Sequence, residues 1–285
     1  MEEIIINGKA LYTPNGAARE YAAVGCNFYT GCPHNCEYCY LKRGAPSKQL
    51  GGTEVKLKKC FKDEIHARQI LEKELDQNLE YLKKVGIFLS FTTDPLIKET
   101  RSLTCAAILC AVCRDIPVMV LTKDATFIED ECDFMAWMNT INIIHRNKVA
   151  FGFTLTGRDD MEPSASTNLK RIEAMKRIYL MGFKTWASIE PIIDFPSSVK
   201  MIEDSMLFCD HYKIGLRSGV KKDYYEEGSL GYFVGQVEAL CHIARIKNQH
   251  PIKVYWKNSV QKHLISSLTS FDKDFVDQNY NLFEE

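Results

Sequence analysis

The most informative stretch of the sequence is TGCPHNCEYCY, residues 30–40. It holds Cys32, Cys36 and Cys39, separated by three and by two residues. The glycine, proline and asparagine around them predict a loop and not one face of a helix. Such a loop can turn three thiolates toward one point, and thiolates are the ligands that hold iron–sulfur clusters. We therefore predict a metal centre on these cysteines.

The number of cysteine ligands limits the kinds of metal centre that can form on the loop. A fourth cysteine at cluster spacing is absent, so a [4Fe–4S] cluster held here would keep one iron open to another ligand. Two alternatives stay open. One is a zinc site whose fourth ligand is His34 or a distant residue, although structural zinc loops more often use paired Cys-x-x-Cys knuckles. The other is a set of reduced cysteines without a metal.

The rest of the chain alternates short apolar runs with helical patterns. Strands are expected at residues 21–27, 87–91, 118–121, 149–155, 184–189 and 211–215. Helices are expected at residues 63–84, 101–113 and 130–140, after a cap at Ser166 or Thr167, and at 232–248, with Gly86 and Gly182 as stops. Strands that alternate with helices imply parallel strands with helical crossovers. We predict an α/β fold, an open or partial (β/α)6 barrel over residues 1–215, with a C-terminal extension, 216–285, packed on it.

Composition limits the classes of function. Among 285 residues, 36 Lys and Arg balance 37 Asp and Glu, whereas a dedicated non-specific DNA-binding protein carries a clear basic excess. No signal peptide is recognisable and the apolar runs fall short of the ~20 residues of a membrane span, so a soluble cytoplasmic protein is expected. In that compartment thiols are kept reduced, so the eleven cysteines are not expected to form disulfides.

The cysteine spacing, with aromatic Tyr38 before the last cysteine, resembles the cluster motif of the radical S-adenosylmethionine (SAM) superfamily. Further segments resemble, in the same order, those of its spore photoproduct lyase-like branch. These segments are Ser90–Leu96 with Glu99, Leu121–Lys123, Glu162–Pro163, Trp186–Pro191 and Tyr255–Lys257. The resemblance implies a partial barrel of the radical SAM type, a [4Fe–4S] cluster and SAM bound at its open iron.

The resemblance also implies residues that bind the cofactor: Tyr38, Ser90, Thr92, Asp94, Lys123, Thr154, Ser188 and Glu190. Lys123 is expected to face the SAM carboxylate, and Thr154 the methionyl part. Thr92, Thr93 and Asp94 either bind the SAM amino group or the substrate, or form an Asx-type turn. Glu190 either binds a ribose hydroxyl or a substrate, or serves only as a helix-entry group before Pro191.

The activity implied is reductive cleavage of SAM to methionine and a 5′-deoxyadenosyl radical, which abstracts hydrogen from a C–H bond. The substrate is unidentified, with a nucleotide, nucleic acid or peptide-like molecule as candidates, and the electron donor is of the flavodoxin or ferredoxin kind. Photoproduct lyase activity is an alternative, but residues 90–94 lack the cysteine hydrogen donor expected there. A zinc-loop binding module and a non-catalytic electron-transfer protein are further alternatives.

Two other groups of residues invite a functional interpretation. Cys105, Cys110 and Cys113 have the spacing of a plant-type ferredoxin run, but their apolar helical setting predicts core packing. After the sixth strand, basic residues interleave with tyrosines and could grip a nucleotide or phosphate, the alternative being a surface loop. These residues are Arg217, Lys221, Lys222, Tyr224 and Tyr225.

Overall fold

The chain forms two compact units in a computed structural model. The first contains residues 1–151 and 162–166, and the second contains residues 152–161 and 167–285. The residues described are 4–43, 47, 50–129, 137–138, 141, 143–221, 223–226, 228–248, 252–264 and 274–284. The division between residues 215 and 216 stays a prediction. Within the described part of the chain, no helix is both long and apolar enough to cross a membrane.

The strands of the first unit form part of a mostly parallel sheet and a separate antiparallel pair. They are β1 (Leu11–Tyr12), β2 (Gly25–Cys26), β3 (Tyr29–Thr30), β4 (Lys56–Leu57), β5 (Ile87–Leu89), β6 (Val118–Thr122) and the first half of β7 (Val149–Thr154). The sheet order is β1-β2-β5-β6-β7, with β2, β5 and β6 parallel and β1 antiparallel to β2. β3 pairs with β4.

Two strands are shorter than predicted, and beyond the end of one of them the residues bond to loops. The strand expected at residues 87–91 ends at Leu89. Beyond it, the Ser90 hydroxyl donates to the Thr93 carbonyl, and the Phe91 amide donates to the Asn27 side chain. The strand expected at 21–27 is reduced to two residues.

The helices of the first unit are α1 (Glu64–Gln77), α2 (Leu79–Val85), α3 (Lys98–Val112) and α4 (Thr126–Glu129). The prediction of one helix over residues 63–84 was wrong, because Asn78 leaves helical geometry and its side chain donates to the Glu74 carbonyl. Gly86 ends α2 at φ +68°, as predicted. The helix expected at 130–140 lies largely outside the described residues.

The second unit continues β7 and adds β8 (Lys184–Ile192), β9 (His211–Leu216) and β10 (Lys253–Trp256), in the order β7-β8-β9-β10. β8, β9 and β10 are parallel. Its helices are α5 (Asn168–Leu180), α6 (Phe195–Ser205), α7 (Ser229–Asn248) and α8 (Asn258–Leu264). Thr167 caps α5, as one of the two predicted caps. The sequence patterns did not predict β10 as a strand. An α/β fold with a mostly parallel sheet is confirmed.

One face of β8, β9 and β10 is apolar and packs against helices. Its side chains are Ala187, Ile189, Tyr212, Ile214, Val254 and Trp256, all buried. The Tyr212 hydroxyl lies 2.7 Å from that of Ser205 in α6, and the Trp256 ring contacts Phe233 of α7. This packing fixes which side of the sheet the alternate residues occupy.

Candidate cofactor site

The cysteine loop starts at the end of β3 and is held in place by backbone contacts. The amides of Gly31 and Cys32 donate to the carbonyls of Leu50 and Gly52, at 3.2 and 2.9 Å. Gly31 has φ +80°, and a Cβ there would lie 2.0 Å from the Glu54 carbonyl oxygen. Only glycine fits this position, so the start of the loop is set by its packing on residues 50–54.

The three cysteines of the loop are all free thiols. Cys36 is buried, whereas Cys32 and Cys39 are half-buried. Burial raises the pKa of the Cys32 thiol to about 12, and the Asp94 carboxylate adds to the effect against the opposing pull of nearby backbone N–H groups and Lys123. A metal ion deprotonates a coordinating thiol outright, so cluster binding would reverse this preference for the thiol.

The donor set is chemically suited to an iron–sulfur cluster. Cys32, Cys36 and Cys39 are free thiols on one loop, and thiolates are the ligands that hold such clusters. Among the described residues, no three His, Cys, Asp or Glu side chains lie close enough to hold one metal ion. Cluster binding by the three cysteines stays a prediction.

Next to the cysteine loop, the buried Asp94 carboxylate accepts four hydrogen bonds. Oδ1 accepts from the Leu96 amide at 2.9 Å and from the Thr122 hydroxyl at 2.7 Å. Oδ2 accepts from His34 Nε2 at 2.8 Å and from the Lys123 amide at 2.6 Å. These bonds occupy both oxygens. They favour the predicted role of Asp94 in closing the loop over direct binding of a ligand.

His34, between the first two cysteines, is the charged partner of Asp94. Its Nδ1 donates to the Ser164 carbonyl at 3.1 Å, so both ring nitrogens face acceptors and the ring carries both protons. Burial opposes charge on both groups, yet the pairing raises the pKa of His34 and lowers the pKa of Asp94 to about 2. One carboxylate thus joins the cysteine loop, the ends of β5 and β6 and residues 162–166.

Two of the predicted cofactor ligands, Tyr38 and Lys123, lie together in the first unit. The Lys123 ammonium is 5.3 Å from the centre of the Tyr38 ring, a cation–π distance. The Tyr38 hydroxyl donates to Glu162, and the Lys123 carbonyl accepts from the Ser166 amide. The backbone of Lys123 is therefore fixed, and its charge lies beside the cysteine loop.

The three hydroxyls that follow β5 differ in whether they already make a hydrogen bond. Ser90 donates to the Thr93 carbonyl and Thr92 donates to the Tyr29 carbonyl, each at 2.6 Å. The Thr93 hydroxyl is buried and has no hydrogen-bond partner in the described part of the chain. An orphaned buried hydroxyl is costly, so Thr93 is the best placed of the three to bind a ligand. Cofactor contacts by Ser90 and Thr92 stay predictions.

The other three predicted ligands, Thr154, Ser188 and Glu190, belong to the second unit and share one face of its sheet. A Cβ at Gly152 would lie 2.1 Å from the Trp186 ring, so Gly152 of β7 and Trp186 of β8 face the same side of the sheet. Side chains two residues further along a strand face the same side, which places Thr154 and Ser188 there as well. Their contacts with SAM stay predictions.

Glu190 lies on the same side, and the role of its partner was not predicted from the sequence. Its carboxylate covers Gly215, where a Cβ would lie 2.7 Å from Oε1, and Oε2 lies 2.5 Å from Lys257 Nζ. Lys257 had been noted only as part of a family segment. Lys213, paired with Ser188 across β8 and β9, was also missed. A lysine in the middle of a predicted strand, next to Ile214, was the signal that could have found it.

The segment after β9 is tied to the end of β8. The Tyr225 hydroxyl donates to the Ile192 carbonyl at 2.7 Å and accepts from the Arg217 amide at 2.9 Å. The Tyr224 hydroxyl donates to the Ile193 carbonyl at 2.9 Å. Lys221 is exposed, and Lys222 lies outside the described residues. The two tyrosines are therefore anchored to the strand end, which differs from a free surface loop.

The second group of cysteines lies on helix α3 and its C-cap, as the sequence analysis expected. Cys110 is buried and Cys105 half-buried, but Cys113 is exposed. Core packing is confirmed for Cys110 and wrong for Cys113, which follows the last residue of α3. The Cys110 thiol donates to Glu72 at 3.3 Å.

His211, on the polar side of β9, gives a prediction about pH. Burial, and then the charge of Lys213, lower the pKa of His211 to about 3, and its Nδ1 donates to the Lys253 carbonyl. Below its unfolded pKa, about 6.5, the unfolded chain gains a proton that the folded chain excludes. Stability is therefore present above that pH and lost as the pH falls.

We expect the wild type to lose about 1.4 kcal/mol per pH unit more than His211→Asn as the pH falls below about 6.5. The asparagine keeps a donor for the Lys253 carbonyl but does not titrate. Urea unfolding at a series of pH values measures the difference. Parallel pH profiles for the two proteins would contradict the buried neutral histidine.

Known proteins share this fold at low sequence identity. No family model matches the chain. A stretch of 180 residues is 28% identical to an uncharacterized protein of Methanocaldococcus jannaschii and covers 59% of each protein, less than two thirds of that relative. Spore photoproduct lyase complexed with dinucleoside spore photoproduct matches with a TM-score of 0.59 and 12% identity, over 86% of this chain and 78% of the lyase.

Two further structures carry bound SAM. A double mutant of spore photoproduct lyase with AdoMet and dinucleoside spore photoproduct matches with a TM-score of 0.57 and 13% identity, over 83% of this chain and 76% of that one. Streptococcus suis SuiB bound to S-adenosylmethionine matches with a TM-score of 0.51 and 11% identity, over 89% of this chain and 49% of SuiB. The chain therefore has the fold of spore photoproduct lyase, which confirms the predicted resemblance at the level of the fold.

Proposed function

We propose that the chain is a radical SAM enzyme that holds a [4Fe–4S] cluster on Cys32, Cys36 and Cys39 and binds SAM at the iron they leave open. The observation that carries the proposal is the loop of three free thiols in a chain with the fold of spore photoproduct lyase. The chemistry that a bound cluster supplies is one-electron cleavage of SAM to methionine and a 5′-deoxyadenosyl radical for C–H hydrogen abstraction.

The residues of the chain bind and orient SAM in this proposal. The Lys123 ammonium pairs with the SAM carboxylate, for which a compact point charge is suited, and the unpaired Thr93 hydroxyl binds a polar group of the cofactor. The His34–Asp94 pair holds the cysteine loop against the ends of β5 and β6. We place this site at the strand ends of a partial (β/α)6 barrel of the radical SAM type.

For the substrate we propose a nucleotide or a peptide-like molecule, and for the reductant a flavodoxin or ferredoxin. Dinucleoside photoproduct is what the related lyase binds in its structure. The near-zero net charge and the lack of a cysteine at residues 90–94 weigh against the same reaction here. The likeness to SuiB as well as to the lyase supports the general class and leaves the photoproduct reaction less favoured.

Anaerobic reconstitution of the full chain tests the proposal. We expect about four irons per chain on the three thiolates, and slow conversion of SAM to 5′-deoxyadenosine after reduction with dithionite. Iron and zinc are measured by mass spectrometry, and deoxyadenosine by chromatography. One zinc per chain without iron would favour the zinc-loop module. Iron without any SAM cleavage would favour an electron-transfer protein.

Lys123→Ala gives a prediction about SAM binding. We expect the variant to bind SAM roughly tenfold more weakly or worse, because a charge-assisted contact to the carboxylate is lost. Equilibrium binding of SAM to the reconstituted protein measures the change. Lys98→Ala is the matched control, since Lys98 is an exposed lysine at the start of α3 in the same unit. Unchanged SAM binding by Lys123→Ala would remove Lys123 from the site.

A further inference from the structure

The face of β8, β9 and β10 opposite the helices is unusually polar. Strand alternation and pairing place seven residues on it: Trp186, Ser188, His211, Lys213, Gly215, Lys253 and Tyr255. Glu190 and Lys257 join them, because the Glu190 carboxylate covers Gly215 and pairs with the Lys257 ammonium. The other face of the same strands carries Ala187, Ile189, Ile214, Val254 and Trp256, with Thr185 and Tyr212 as its residues that bear hydroxyls. Two of the lysines on the polar face, Lys213 and Lys257, are buried, and a buried charge is retained only where an opposite charge or a hydrogen-bond partner meets it.

The charges on this face are mostly positive. The face carries three lysines, Lys213, Lys253 and Lys257, and one carboxylate, that of Glu190. His211 adds no charge at neutral pH, since its ring is buried and its Nδ1 hydrogen is donated to a backbone carbonyl. Because ammonium groups that are withdrawn from water attract anions strongly, the face favours an anionic group.

Two of the lysines are buried, and the site is nevertheless open to solvent. Lys213 is 6% exposed and Lys257 only 1% exposed. The Lys213 ammonium lies 5.9 Å from the centre of the Tyr255 ring, which holds the lysine on the sheet face. The Glu190 side chain is 21% exposed, so solutes can reach the row formed by Glu190, Gly215 and Lys257.

A second observation comes from the residue just beyond β9. The Arg217 guanidinium stacks on Tyr224, with 5.7 Å between the two groups. Its Nε is buried and has no acceptor within the described residues. Arginine N–H groups in a fixed plane bind anionic oxygens, so this end of the sheet offers a donor that the protein itself does not use.

We propose that this polar face binds an anionic oxygen group of a ligand, a phosphate or a carboxylate, through Lys213 and Lys257, with Arg217 at the strand end. Glu190 is the internal counter-ion of Lys257, and the ligand anion competes with it. Gly215 leaves the room that the Glu190 carboxylate occupies. The site lies within the second unit and does not depend on the cluster.

Binding of simple anions to the full-length protein without cluster or SAM tests this proposal. Inorganic phosphate and acetate are titrated at constant ionic strength, with binding followed by calorimetry. Lys213→Met should weaken binding of the preferred anion roughly tenfold or more, the loss of one charge-assisted contact. Lys200→Met, which removes an exposed lysine of α6 in the same unit, should leave the affinity unchanged.

Glu190→Gln separates binding from a structural role, because it keeps the size of the side chain. We expect it to bind the anion severalfold more tightly, since the carboxylate no longer competes for Lys257. A purely structural Glu190–Lys257 pair would instead give lower stability and no gain in affinity. Preference for phosphate or acetate identifies the chemical source of the anion. Absence of binding by the wild type, or equal binding by Lys213→Met, would overturn the proposal.

Discussion

Cys36→Ala abolishes cluster binding and SAM cleavage if the three thiols hold a [4Fe–4S] cluster. We expect the anaerobically reconstituted variant to lack the brown chromophore and to hold almost no cluster iron. Two thiolates would leave two irons without a protein ligand, and an under-ligated cluster is readily lost. Iron content and the yield of 5′-deoxyadenosine from dithionite-reduced protein measure the effect, and Cys32→Ala and Cys39→Ala should behave alike.

The chain offers a matched control for this experiment in helix α3. Cys110→Ala with Cys113→Ala removes two thiols whose spacing, Cys-x-x-Cys, equals that of Cys36 and Cys39. One of these thiols is buried and bonds to Glu72, and the other is exposed. We expect unchanged iron content in this double variant. Loss of iron from this double variant, with iron retained by the loop variants, would place the cluster on α3 and not on the cysteine loop.

Asp94→Asn gives the largest expected change in folding stability. The asparagine keeps the size of the side chain, but its NH2 group replaces a carboxylate oxygen that accepts two hydrogen bonds, so it faces two other donors. The buried His34 also loses its counter-ion. Removing one partner of a buried ion pair costs about 3–5 kcal/mol. We expect the free energy of unfolding to fall by that amount, measured by urea denaturation of the protein without cluster.

Asp76→Asn is the control, because Asp76 also pairs with a cation but at the surface. Its carboxylate lies 2.7 Å from Arg114 and its side chain is 60% exposed. Exposed pairs contribute little to stability, so the control should unfold at nearly the wild-type urea concentration. If Asp94→Asn unfolds at that concentration too, the four hydrogen bonds of the carboxylate add no net stability.

Local features of this protein could be predicted from the sequence because they depend on neighbouring residues. The cysteine loop follows from glycine, proline and asparagine within eleven residues, and the ends of helices follow from Thr167 and Gly86. Alternating strands and helices were enough to predict a mostly parallel α/β fold. The spacing of the three cysteines, likewise local, was enough to predict a thiolate centre.

Other features depend on groups that only the tertiary structure brings together. His34 and Asp94 are 60 residues apart in the chain, and the roles of both were set by contacts that neither segment encodes alone. Lys257 and Glu190 are 67 residues apart and pair because β8, β9 and β10 are neighbours in the sheet.

The same physical reason explains which hydroxyl is unpaired. Ser90, Thr92 and Thr93 are alike in sequence, but the partners of the first two lie on backbone that folds back to them. Whether a polar group is satisfied depends on distances across the fold, whereas whether a residue favours a turn or a helix depends on its own geometry. Sequence by itself therefore determined most of the elements and the thiol motif, and the tertiary structure decided the ion pairs and the polar face.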